Sequence, residues 1–293
     1  MITEGLLLRH YQGQRMFRDG ALIDVAQDHA LQHLHVTGLF DLGLVFKGGT
    51  ALRKFRLGNE GRFSTDLDFA VEEEGLAELI FDHLDGTTVD GFRFRVEQTV
   101  PARRALLHID SSFGVPAIPA RIDVTHELPW LPPERLRPVP LPIHRSYGFT
   151  MAETPVISIE ELLAEKLARY RRDSLARDLY DLAWFSDRPF NEALVRRLMV
   201  LKVWRDINKT GLGRAPLDPE EILRPRARAD FVEEAIGYLT APVEIDTWIA
   251  NVRRRYAFLR HVDDVEKALL AANPRDAYTV DTLIAAYRPT SMT

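Results

Sequence analysis

Residues 44–69, LVFKGGTALRKFRLGNEGRFSTDLDF, constrain the fold more than any other part of the chain. Leu44, Val45 and Phe46 form a short apolar run suited to a buried strand, which stops at Gly48-Gly49 before the helix-compatible TALRKF. A strand that turns on glycines into a helix exposes backbone N–H groups at the positive end of the helix dipole. Glycine also lets a ligand approach the backbone closely, so Gly48, Gly49 and Thr50 are candidates for cradling phosphate oxygens. Asp66-Leu67-Asp68-Phe69 then alternates polar and apolar. The side-chain period of a strand is two, so both carboxylates share one face while Leu67 and Phe69 point to the other, toward a core. Two carboxylates so placed repel each other unless a cation lies between them. Oxygen ligands of this kind suit Mg²⁺ (or Mn²⁺), which completes its shell with water and substrate phosphates.

A Gly-Gly turn followed by a DxD strand resembles the nucleotidyltransferase superfamily with the DNA polymerase beta type of catalytic core. The fuller string FKGGTALRK…RFSTDLDF resembles more narrowly the AbiEii/MenT family of bacterial nucleotidyltransferase toxins. That resemblance implies a bilobed α+β fold. Its N-terminal lobe, 1–145, would hold a small mixed sheet flanked by helices and carry the catalytic groups. The C-terminal lobe, 146–293, would be mainly helical and contribute to the nucleotide and acceptor site. The resemblance further implies an NTP substrate, the 3′ end of a tRNA as acceptor, growth arrest as the outcome and a cognate antitoxin as partner.

Composition sets the outer bounds. A chain of 293 residues with 46% hydrophobic residues can bury one large core or two modest ones. No apolar run has membrane length and no secretory leader opens the chain, so a cytoplasmic location without a membrane partner is expected. Zero cysteines exclude disulfides, thiolate metal sites and a cysteine nucleophile. The net charge of −5 argues against an all-over nucleic-acid binder, although arginines cluster locally in the second half, as at Arg169, Arg171 and Arg172 and at Arg253-Arg254-Arg255.

In chain order, residues 15–42 read as a helix, with Ala21, Leu22, Val25, Ala26, Ala30 and Leu31 at spacings of three and four. His29, His33 and His35 lack an HExxH frame and read as polar residues on a surface helix. A helix over 72–85 and strands over 92–98, 105–110 and 118–125 follow. The last of these carries Asp123, a candidate for deprotonating the attacking hydroxyl or ligating a second metal; alternatively it pairs with Arg121 on the same strand face. Residues 129–142, PWLPPERLRPVPLP, hold too many prolines for a helix or a central strand and read as an extended connector.

Beyond it, Ser158 with Glu161 fits a capping box opening a helix that presents Lys166, either a point charge for a triphosphate or a partner of a nearby glutamate. Family members show such a lysine followed by an RDLYDL-like segment, and the matching positions here are Lys166, Arg177, Asp178 and Asp181. One straight helix would hold Lys166 and Asp181 roughly 22 Å apart. A break near 172–174 is therefore expected, with Asp173 or Ser174 capping a second helix that folds back. Asp181 is preferred over Asp178 as the acidic partner. Residues 191–293 read as mainly helical.

Assembled, these readings give a metal-dependent nucleotidyl transfer. Gly48, Gly49, Thr50, Ser64 and Lys166 hold the nucleotide, Asp66 and Asp68 hold the metal, and Asp123 and Asp181 complete the catalytic set. An antitoxin acting as a kinase would switch the enzyme off through a phosphate on Ser64 or Thr65, beside the metal carboxylates. The rival readings are the same chemistry on a small molecule or a protein side chain, a catalytically inactive nucleotide-binding module, and a hydrolase using the same metals, which would release monophosphate without labelling any acceptor.

Overall fold

A computed structural model describes residues 2–14, 17–239 and 241–288. These residues form two units. The first takes the described residues within 1–129, 133–157 and 238–242; the second takes those within 130–132, 158–237 and 243–293.

The first unit begins with α1 (Glu4–His10) and α2 (Arg18–Val36). The expected helix over 15–42 thus ends at Val36, because Gly38 turns left-handed at φ 79°; residues 15 and 16 lie outside the described residues. The strands are β1 (Val45–Lys47), β2 (Asp66–Ala70), β3 (Thr88–Val89), β4 (Phe92–Val100), β5 (Arg104–Ser111), β6 (Ala120–Thr125), β7 (Glu134–Leu136) and β8 (Thr154–Val156). Between β1 and β2 lies the short α3 (Gly48–Leu52), and between β2 and β3 lies α4 (Glu74–Leu84). The eight strands make one mixed sheet in the order β3-β4-β5-β6-β2-β1-β8-β7, larger than the small sheet expected. The proline-rich connector supplies β7, at the sheet's edge, where a proline's missing N–H breaks no ladder.

Alternation decides which face each strand buries. Leu67 and Phe69 of β2, Ile122 and Val124 of β6, Leu107 and Ile109 of β5 and Phe94 of β4 are buried. The intervening residues, among them Asp66, Asp68, Arg121, Asp123, Arg104 and Arg95, occupy the opposite face. Helix α2 is no surface helix. Every residue from Gly20 to Leu31 is buried, Asp24, Gln27, Asp28 and His29 among them. The three histidines have internal partners instead: His29 Nδ1 with Val25 O, His33 Nε2 with His83 O and His35 Nε2 with Thr154 Oγ1.

The second unit is helical, with α5 (Ile159–Arg172), α6 (Ala176–Trp184), α7 (Glu192–Arg205), α8 (Ile245–Arg255), α9 (Asp264–Leu269) and α10 (Ala277–Ala285). Ser158 caps α5, its hydroxyl accepting from Glu161 N at 3.4 Å. The Glu161 side chain does not close the expected box. It is fully buried and accepts from the backbone N–H groups of Trp130 and Leu131, at 2.9 and 2.8 Å, and from Lys202 Nζ at 2.9 Å. Buried carboxylates are stable only when so paired, and two backbone donors that the prolines leave without a ladder need an acceptor.

The chain breaks between α5 and α6 where expected, but no side chain caps the second helix. Leu175 takes the N-cap position, and Ser174 Oγ accepts from Arg226 Nε at 3.3 Å instead. Among the described residues no helix is long and apolar enough to cross a membrane.

Candidate active site

The strand β1 ends at Lys47 and the chain turns at Gly48, whose φ is +77°. A side chain there would be strained by that φ and would also meet Asp68: a Cβ on Gly48 would lie 1.9 Å from Asp68 Oδ2. The turn thus brings backbone and carboxylate together in a way only glycine allows. Gly49 is constrained from another side, since its Cβ would fall 2.5 Å from Arg62 Nη2 and 3.1 Å from Ser64 Oγ. Thr50 is fully buried and its hydroxyl donates to the backbone carbonyl of Asp66, tying the helix start to the DxD strand. Its side chain is therefore an internal tie.

Register builds the rest. Strand β2 pairs in parallel with β6, so Asp66 lies opposite Arg121 and Asp68 opposite Asp123. Strand β1 places Lys47 opposite Asp68 on the other side, and β5 places Arg104 opposite Asp123. One row across the sheet therefore reads Arg104, Asp123, Asp68, Lys47, with cations outside and carboxylates inside. Like charges on adjacent strands destabilise a sheet unless neighbouring cations offset them.

The ion pairs follow this row with one exchange relative to expectation. Arg121 does not pair with Asp123. Its Nε and Nη2 donate to Asp66 Oδ1 and Oδ2 at 2.9 and 2.8 Å, a two-pronged contact. Asp123 Oδ1 instead accepts from Arg104 Nε at 2.5 Å. The hydrogen bond to Asp66, with the nearby negative charge, raises the Arg121 pKa above its usual value. Thr65 Oγ1 also donates to Asp66 Oδ1, at 3.2 Å, while Ser64 is buried and its carbonyl accepts from Gln27 Nε2.

Behind the Gly-Gly turn lies a buried ionic cluster the sequence did not point to. Arg53 and Lys54, one turn past Thr50, reach Asp24 and Asp28 on α2. Arg53 Nε–Asp24 Oδ1 is 3.0 Å, Lys54 Nζ–Asp24 Oδ1 is 3.0 Å and Lys54 Nζ–Asp28 Oδ1 is 2.7 Å. His10 Nε2 lies 2.8 Å from Asp24 Oδ2, and Tyr147 donates to Asp28 at 2.6 Å. Burial alone pushes the Asp24 carboxyl up, but Arg53, Lys54 and His10 outweigh it and hold the group well below the usual carboxylate range. Asp28 is lowered in the same way, burial opposing and Lys54 prevailing.

The second unit holds a cluster of its own. Lys166 is buried, with Nζ 2.7 Å from Asp181 Oδ2 and 3.6 Å from Asp178 Oδ1. Asp178, fully buried, accepts Arg169 through both prongs, Nε at 2.6 Å and Nη2. Lys166 and Asp181, fifteen positions apart, meet because the helix breaks between them.

Gly48, Gly49, Thr50, Ser64, Asp66, Asp68 and Asp123 thus gather in the first unit, and Lys166, Asp178 and Asp181 in the second. Sequence reasoning named Arg121 but as a partner of Asp123, and it missed Arg104, Lys47 and Arg62 as neighbours of these groups. For Lys47 a signal existed, since it directly precedes the glycine turn; the others required the strand register.

A glycine turn closed on a carboxylate strand, with a third carboxylate opposite, is the arrangement that the resemblance to nucleotidyltransferases led one to expect. Residues 29–268 match the family model described as the nucleotidyl transferase AbiEii toxin of a type IV toxin–antitoxin system. The nucleotidyltransferase toxin MenT4 from Mycobacterium tuberculosis H37Rv is similar over 99% of this chain and 100% of its own, at 44% identity and a TM-score of 0.94. A more remote structure, JHP933 from Helicobacter pylori, reaches 15% identity and a TM-score of 0.46 over 97% of this chain and 99% of its own, too distant to carry an argument. No curated protein matches. The chain belongs to the AbiEii nucleotidyltransferase toxin family. It is an NTP-dependent nucleotidyltransferase of a toxin–antitoxin system, which implies a cognate antitoxin.

Proposed function

We propose that the enzyme transfers an NMP from an NTP to the 3′ end of a tRNA. The observation that carries the reading is the convergence of Asp66, Asp68 and Asp123 on one sheet face beside a glycine turn too tight for any side chain. Among the described residues no group of three or more His, Asp or Glu side chains is placed to hold a metal alone. The donor set nevertheless fits Mg²⁺ or Mn²⁺, which need one or two carboxylates and take their other oxygens from water and phosphates. That Asp66 already presents both its oxygens to a guanidinium supports a cation position at its edge. Asp66 and Asp68 would hold the ion, which supplies positive charge to the α-phosphate oxygens and to the attacking hydroxyl.

The backbone N–H groups of Gly48, Gly49 and Thr50 bind triphosphate oxygens. The acceptor hydroxyl forms a new O–P bond at the α-phosphorus as the bond to the β-phosphate oxygen breaks, and pyrophosphate leaves with that electron pair. Asp123 takes the hydroxyl proton. Lys166, oriented by Asp181, is also required for transfer in this reading.

The partner antitoxin would act as a kinase on Thr65 or Ser64. Thr65 is half-buried and already touches Asp66, so a phosphate there sets a dianion against the metal carboxylate. Mass spectrometry of the neutralised complex tests this; absence of phosphate on both residues contradicts it.

The reading is tested by incubating the protein with bacterial tRNA, Mg²⁺ and each α-labelled NTP in turn, beside Asp66→Ala and Lys166→Ala variants. Label on tRNA, lost in both variants, is expected. NTP binding without label on tRNA would move the acceptor to a small molecule or a protein.

A further inference from the structure

We propose that Arg121 is a competitor of the divalent ion: its guanidinium and the ion draw on the same carboxylate of Asp66, and the fork must loosen for the ion to bind tightly. The inference rests on the reading that Asp66 is a metal ligand, and it assigns to Arg121 control over how tightly that ligand can hold a metal.

Three observations carry it. The first is occupancy. Nε and Nη2 of Arg121 take both oxygens of Asp66, at 2.9 and 2.8 Å, and Thr65 adds a third donor to Oδ1 at 3.2 Å. The fork takes one lone pair on each oxygen and Thr65 a second on Oδ1, so while the fork holds an ion has only the remaining lone pair of Oδ2, and two positive charges at one carboxylate repel.

The second is exchangeability. The Arg121 side chain is 45% exposed and that of Asp66 17%, so water can replace either partner as the pair opens. Arg53, only 3% exposed in a pair with a 2% exposed aspartate, has no such route. Exposed pairs are weak, and their partners trade at little cost.

The third is position. Arg121 is directly opposite Asp66 in the β2–β6 register, so a modest rotation of its side chain frees the edge while the strand stays in place. The released guanidinium would stay beside the site, with the geometry that suits a phosphate.

The experiment is a Mn²⁺ titration followed by electron paramagnetic resonance, without nucleotide, on the full chain and its Arg121→Gln, Arg121→Lys and Asp66→Asn variants. Arg121→Gln removes the competing charge and is expected to bind Mn²⁺ roughly five- to tenfold more tightly than the unaltered protein. Arg121→Lys keeps the charge but loses the fork and should fall between them. Loss of binding in Asp66→Asn together with unchanged or weaker binding in Arg121→Gln overturns the inference and leaves the metal reading standing. Absence of Mn²⁺ binding in both the unaltered protein and Arg121→Gln overturns both.

Should Arg121→Gln fail to fold, as circular dichroism would report, the unaltered protein still decides. The ¹⁵Nε resonance of Arg121, assigned by its disappearance in Arg121→Lys, should move as Mg²⁺ is added. A resonance that stays fixed while Mg²⁺ saturates the site would contradict the competition.

Discussion

The first unit uses the aspartate–arginine pair twice, to opposite ends. At Asp24 the pair with Arg53 lies 2% and 3% exposed, joined by Lys54 and Asp28; at Asp66 the pair with Arg121 is 17% and 45% exposed. Buried, the pair is a fixture. Its charges cannot be returned to water without unfolding, so it locks the helical turn after Gly-Gly onto α2. Half-exposed, the same chemistry is open to exchange with water, which the proposed role of Asp66 as a metal ligand requires. What separates the two pairs is the solvent around them, since residue types and hydrogen-bond lengths are much alike.

Variants sharpen this contrast. Asp24→Asn leaves Arg53 and Lys54 buried without their shared counter-charge and should destabilise the protein by about 3–5 kcal/mol, read by chemical denaturation. Gly48→Ala should cost about 1–3 kcal/mol, from its φ and the approach of Asp68, and should remove transfer because Asp68 must shift; a variant that kept full activity would break the claim that the turn and the carboxylate are one unit. Arg104→Gln opens an exposed pair with Asp123 and should change stability by less than about 1 kcal/mol.

Acid separates the regions too. Asp24 and Asp28 have folded pKa values below the ordinary 3.8, so their contribution is fully present above that value and is lost as pH falls through the lowered ones. Stability of the unaltered protein should therefore decline below about pH 4, while Asp24→Asn, with one such carboxylate fewer, should show a shallower decline.

The sequence disclosed what local rules govern. The glycine turn, the alternating DLD strand and the break between α5 and α6 each follow from residues a few positions apart, and each stands where it was expected. Hidden were the contacts set by register. Arg121 and Asp66 are 55 positions apart and meet only because β2 and β6 run parallel. Reading Arg121 beside Asp123 respected strand periodicity but could not know which strand lay alongside. Likewise α2 looked amphipathic from its alanines and leucines, yet Asp24 and Asp28 are buried because Arg53 and Lys54 supply counter-charges from a helical turn almost thirty positions away. Periodicity finds faces, whereas partners for buried charge come from elsewhere in the chain.

The central claim is that the Asp66 row works while the Asp24 cluster only supports. The most direct test measures labelled NMP transfer to tRNA per folded molecule in Asp66→Asn and in Asp24→Asn, the folded fraction taken from each variant's unfolding curve. The account predicts that Asp66→Asn abolishes transfer at near-normal stability, and that the folded fraction of Asp24→Asn transfers at close to the unaltered rate. Transfer surviving in Asp66→Asn, or lost from fully folded Asp24→Asn, would contradict it.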